Sequence, residues 1–259
     1  MNDSTLTVAV CGPDTWLRPL LITRLAAAGA RVRDFGLGTC SMRDIDTVVQ
    51  LPVLLPKSAD AAKDIGAGAA RMTFAAAANA KVSRLVVLSR VGPEGQSPYI
   101  DALRALERSA VTVSRHVTIV RATHPVGDPI NPGPIVEALM RRHGGVKLTA
   151  DPTVQPVHVE DLLDVLEAAT DGRIGAGFVE VGCATPQSLA EFAAAIAGSY
   201  QPALPRRAGF RAKRRTAGRV TDFLALPSVP ARKLAAPLPL TRRDIAIAGS
   251  GPEANQATA

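Results

Sequence analysis

Short apolar runs alternate with helix-length segments along most of the chain, and this alternation limits the folds open to it. Leu6–Cys11 (LTVAVC), Arg84–Ser89 (RLVVLS), His116–Arg121 (HVTIVR) and Gly177–Val181 (GFVEV) read as buried strands. Ala30–Phe35 and Thr47–Leu51 add two more, and Gln155–Val159 a short one. Between them, Leu17, Leu20, Leu21 and Leu25 have helical spacing that stops at Gly29. Pro19 is tolerated only in a first turn, which places that helix start at about Thr15–Arg18. Further helices are predicted over 58–80, from Ser97-Pro98 to about 114, over 134–143, over 160–170, and from the Ser188–Glu191 capping box to about 197. The predicted fold class is α/β: a doubly wound, Rossmann-like parallel sheet with a small irregular C-terminal lobe. Ligands of such sheets bind at the carboxyl ends of the strands.

The domain reading is a Rossmann-like unit over 1–200, with returning strand and helix elements in 155–200. A basic, proline-rich lobe over 201–248 and a frayed tail over 249–259 follow. A chain of 259 residues with 47% apolar and 20% charged side chains buries an ordinary core. The net charge of +7 is concentrated: residues 206–219 hold seven basic side chains and no acid, which accounts for the whole excess. Such a run attracts anions. It has one aromatic, Phe210, and no groove-reading motif, so nucleic acid is not an expected partner.

Cys11, Cys40 and Cys183 form no Cys-x-x-Cys pair, and the four histidines have no paired spacing, so no metal site is expected. The start of the chain shows no signal peptide, and no long uncharged apolar window points to an integral membrane segment. The expected location is cytoplasmic.

Several stretches together make the chain resemble an extended, epimerase-like short-chain dehydrogenase/reductase, as a degenerate member of the NAD-dependent epimerase/dehydratase type. Val8–Gly12 falls at the family's first strand and first glycine, and Leu88-Ser89 at the strand end bearing its catalytic Ser. Ser97-Pro98-Tyr99 falls at the helix start bearing its catalytic Tyr. Arg121, Pro125 and Gly127 match its Arg-Pro-x-x-x-Tyr-Gly stretch in part. Gln155–Asp161 and Pro239–Arg242 match later segments. The resemblance implies an NAD(P)-binding domain, small-molecule metabolism and a homodimer formed through the helices at 58–80 and 97–114.

The departures from that pattern set the functional expectation. The family's three-glycine turn is here Gly12-Pro13-Asp14-Thr15-Trp16-Leu17-Arg18, with Thr15 and Arg18 at the second and third glycine positions. Between Phe35 and Ile45 there is room for a loop but not for the usual helix plus strand. The family's Tyr-x-x-x-Lys becomes Tyr99 followed by Leu103. A phenol without a neighbouring cation is a poor base near neutral pH but still a good donor. Arg104 is rotated away from the lysine position, and Arg90 can approach from the strand end.

Candidate cofactor residues are Gly12, Thr15, Arg18 and Asp34, the last in the place of the ribose-binding acid. The alternative for Arg18 is that it faces another anion. Candidate catalytic residues are Ser89, Tyr99 and His124, with Gln50 beside them. Trp16 either fills space a nicotinamide cofactor has vacated or covers the helix–loop junction.

The leading expectation is an enzyme on a small, possibly anionic, organic substrate. It would run isomerase-, cyclase- or lyase-type acid–base chemistry without hydride transfer, and with no cofactor or a weakly held NAD(P). The alternatives are an NAD(P)H-dependent reductase or epimerase, and a non-catalytic ligand sensor or scaffold.

Overall fold

In a computed structural model, the structure describes residues 5–13, 15–36, 41–52, 59–92, 94–95, 98–127, 153–182, 187–188, 191–192 and 248–249. The helix predicted over 134–143, the lobe at 201–248, Ser97, Cys40 and Cys183 lie outside them.

The first half runs β1 (Thr7–Cys11), α1 (Leu17–Ala27), β2 (Arg31–Gly36), β3 (Thr47–Gln50), α2 (Ala59–Asn79), β4 (Arg84–Arg90) and α3 (Pro98–Val113). Then come β5 (Val117–Ala122), β6 (Pro125–Val126), β7 (Thr153–Val154), β8 (Val157–His158), α4 (Val159–Asp171), β9 (Gly177–Val181), β10 (Gln187–Ser188) and β11 (Ala248–Gly249). Six strands form one parallel sheet in the order β2-β1-β3-β4-β5-β9. β11 adds antiparallel to the outer side of β9. Two short pairs, β6 with β8 and β7 with β10, lie apart from this sheet.

Side chains alternate across each strand, so two cores form. Val8, Val10, Val86, Leu88 and Val120 face α1 and α4. Ala9, Cys11, Val48, Leu85, Val87 and Ile119 face α2 and α3. The continuous apolar runs are therefore strands buried on both sides, as a covered parallel sheet requires.

After Phe35 the chain reaches β3 with no helix or strand described between β2 and β3. β3 returns directly beside β1, with Val8 opposite Thr47 and Cys11 opposite Gln50. β2 is left as the last strand on its side, exposed or half-buried along its length. The sheet changes direction at β1, between β2 and β3, so the ligand crevice of such a fold opens at the carboxyl ends of these strands.

Two local predictions change in detail. The strand expected over 155–159 is only Val157–His158, because Val159 already opens α4. His158 is the N-cap: its backbone is extended and its Nδ1 accepts from the Glu160 amide at 3.3 Å. Glu160 and Asp161 stand in the first turn, where carboxylates favour the helix amino end. The Ser188–Glu191 capping box forms reciprocally. Ser188 N donates to Glu191 Oε2 at 2.8 Å, and Glu191 N donates to Ser188 Oγ at 3.1 Å.

Candidate functional site at the carboxyl edge

The β1–α1 turn closes on itself. Gly12 has φ +124°, and its amide donates to the Gly36 carbonyl at 2.8 Å. A Cβ on Gly12 would stand 2.3 Å from the Leu51 carbonyl oxygen, so only glycine fits. Helix α1 begins after Trp16, which has helical dihedrals and no side-chain cap. Trp16 is half-buried and packs on the α1–α4 core, covering the junction between turn and helix.

Arg18 turns back across this opening. Its guanidinium is hydrogen-bonded to the Asp34 carboxylate and lies against Gly36. The anion that Arg18 faces therefore belongs to this chain. Thr15 Oγ1 and Arg18 Nε are buried with no hydrogen-bond partner among the described residues.

A bound dinucleotide needs a close backbone approach at this turn and a free acid for its ribose. Here the Gly12 amide serves Gly36, a threonine side chain stands at the approach point, and Asp34 is engaged by Arg18.

At the ends of β4 and β5 the catalytic candidates separate into two linked clusters. Ser89 is 3% exposed and sits under α3. Its hydroxyl donates to Glu107 Oε1 and accepts from Arg104 Nη1 at 3.3 Å. Glu107 is also held by Arg104 and by Arg121, whose Nε and Nη2 lie 3.1 and 2.7 Å from its two oxygens. Arg121 in turn reaches Glu180 at 3.7 Å and stacks 4.6 Å over the Phe178 ring. In this arrangement the Ser89 hydroxyl gives its proton to the Glu107 carboxylate.

The second cluster contains Tyr99, Arg90 and His124, all nearly buried. Arg90 donates to His124 Nε2, which places the imidazole proton on Nδ1. Burial pushes the Tyr99 phenol up to about 12, against the lowering effect of the nearby Arg90 charge. Burial also lowers Arg90 to about 10, with Tyr99 opposing the shift. Arg90 thus comes up from the strand end beside the phenol. Desolvation outweighs its charge, so Tyr99 is a donor throughout the neutral range and not a base. Arg104 Nη2 donates to the Arg90 carbonyl at 2.8 Å and joins the two clusters.

Gln50 closes the edge at β3. It is 3% exposed, with Nε2 on the Leu51 carbonyl at 3.0 Å and Oε1 unpartnered among the described residues. Sequence reasoning missed Glu107. The signal was a carboxylate inside the apolar stripe of Leu103, Leu106 and Ala110, where a charge requires a partner. Among the described residues no group of three metal-ligating side chains comes together, and no helix is long and apolar enough to cross a membrane.

No protein-family model and no curated protein sequence matches the chain. Solved structures do. MoeE5 in complex with UDP-glucose and NAD superposes with a TM-score of 0.62 at 21% identity, over 74% of this chain and 81% of that one. The dTDP-4-dehydrorhamnose reductase from Bacillus anthracis str. Ames, in complex with NADP, gives 0.62 at 17%, over 74% and 80%. A UDP-galactose 4-epimerase gives 0.60 at 17%, over 73% and 82%.

The fold is therefore that of the extended short-chain dehydrogenases/reductases, as the sequence motifs implied. The structures it resembles include epimerases and reductases, and several of the structures hold NAD or NADP.

Proposed function

We propose that this protein is an enzyme acting on a small organic substrate at the carboxyl edge of the sheet, by acid–base chemistry of the isomerase, cyclase or lyase type and without hydride transfer. The observation that carries this reading is the Arg18–Asp34 contact across the mouth of the dinucleotide crevice. In the proposed site Tyr99 donates a hydrogen bond to a substrate oxygen on which negative charge develops, and the Arg90 cation beside it stabilises that charge. His124 presents Nδ1–H as the transferable proton, its ring fixed by Arg90 at Nε2. A buried cation at this edge favours an anionic substrate. The seven basic side chains of 206–219 would strengthen that preference through their charge. Homodimer formation through α2 and α3 belongs to the same proposal.

The fold's resemblance to proteins holding NAD and NADP supports the alternative, a dinucleotide-dependent reductase or epimerase. Calorimetric titration with NADH and NADPH separates the two. The expected outcome is no saturable heat. Micromolar dissociation constants would overturn the proposal. A second reading, a non-catalytic ligand sensor, is favoured by the internal engagement of Ser89 with Glu107. Full activity of both Tyr99→Phe and His124→Ala on the true substrate would reject the enzyme as drawn.

A further inference from the structure

At the opposite, amino edge of the sheet, α2 and α3 end side by side over the starts of β4 and β5. A cleft of about 370 Å³ opens between them. That volume lies within the range of small-molecule sites. Its apolar lining comes from Phe74, Val82, Leu85 and Val113, and Val113 keeps 37% of its surface exposed there. Lys81 and Arg115 stand on the rim, and among the described residues no acidic side chain lines it.

Lys81 deserves a physical explanation. It has φ +56°, in the left-handed region where glycine is strain-free and a side chain is not. It occupies the residue after the helix end in a Schellman turn. Lys81 N donates to Ala78 O and Val82 N to Ala77 O, both at 3.0 Å. Glycine would close this turn equally well. The turn itself therefore does not require a lysine, and this lysine lines the cleft.

We propose that this cleft binds a small amphipathic carboxylate. Its apolar body would lie on Phe74, Leu85 and Val113, and its carboxylate would meet Lys81 and Arg115. The site is independent of the carboxyl edge and of the reaction proposed there. Charge decides the ligand class: an apolar amine would be repelled by the rim, and a neutral analogue would gain only the floor.

The test uses 4-phenylbutyrate, 4-phenylbutan-1-ol and 4-phenylbutylamine as probes, titrated calorimetrically into the full chain. The carboxylate is expected to bind at least about tenfold more tightly than the alcohol, and the amine not at all. Lys81→Gly is expected to weaken the carboxylate about tenfold while raising the thermal midpoint, because it removes the positive-φ strain. Arg115→Gln is expected to weaken it without changing the midpoint. No saturable binding of the carboxylate, equal binding of the alcohol, or unchanged affinity in both variants overturns the proposal.

Discussion

Tyr99 and Arg90 titrate in opposite directions around one buried contact, and the pair makes the interior legible through pH. Folded Tyr99 keeps its proton up to about 12, whereas an unfolded tyrosine releases it near ~10. Between those values folding takes up a proton, so this term lowers stability as pH rises. Folded Arg90 loses its proton near 10, well below the ordinary arginine range, so its term raises stability over the same interval. In the wild type the two slopes oppose. Tyr99→Phe removes the falling term and leaves the rising one. Its stability relative to wild type is therefore expected to climb between pH 10 and 12, by up to roughly 2–3 kcal/mol. Urea melts at a series of pH values check this, and parallel curves would show that the phenol is not held as described.

The individual residues were only partly readable in the sequence. Tyr99 is picked out by the family resemblance and Arg90 by its place directly after Ser89 at the strand end. The commitment of Ser89 to Glu107, and of Asp34 to Arg18, depends on which side chains meet after the sheet assembles. Neither contact is local: Ser89 and Glu107 come from β4 and α3, and Arg18 and Asp34 from α1 and β2.

At the scale of elements, period and caps carried the prediction. Strands buried on both faces announce themselves as apolar runs, and Gly29, Pro98 and the Ser188–Glu191 box mark helix ends. His158 as a cap was not readable, because histidine is not among the usual capping residues. Packing between helices was less legible still. Arg24 of α1 reaches three carboxylates of α4: Glu167 through Nε at 2.9 Å, Glu160 at 3.2 Å, and Asp164. Those acids lie along one helical face, at i, i+4 and i+7, and repel one another without the guanidinium. Arg24→Ala is expected to destabilise the protein by roughly 1–2 kcal/mol at low salt. Raising the ionic strength should recover part of that loss by screening the acids. Chemical unfolding at two salt concentrations measures both quantities. A salt-independent loss would assign the effect to packing of the arginine stem instead.

For the molecule as a whole, charge distribution separates two kinds of basic residue. Within the described domain, arginines on both faces of the sheet are matched to carboxylates: Arg18 to Asp34, Arg24 to the α4 acids, Arg104 and Arg121 to Glu107, and Arg173 to Glu167 and Asp171. The seven basic residues of 206–219 have no acid among them, and they equal the chain's net charge of +7. That arithmetic divides the charge along the sequence: outside 206–219 the chain is formally neutral. The division has a mechanical consequence. Joint reversal of Arg214 and Arg215 to Glu removes four units of net charge and leaves in place every arginine of the ion pairs named above. The unfolding free energy is therefore expected to stay within about 0.5 kcal/mol of wild type. The salt concentration needed to release the protein from heparin is expected to fall, because the long-range positive field has its source there. A loss of several kcal/mol would mean that the segment completes ion pairs of the sheet domain. In that case the excess charge would be a structural element of the Rossmann-like unit, not a field presented to an anionic ligand.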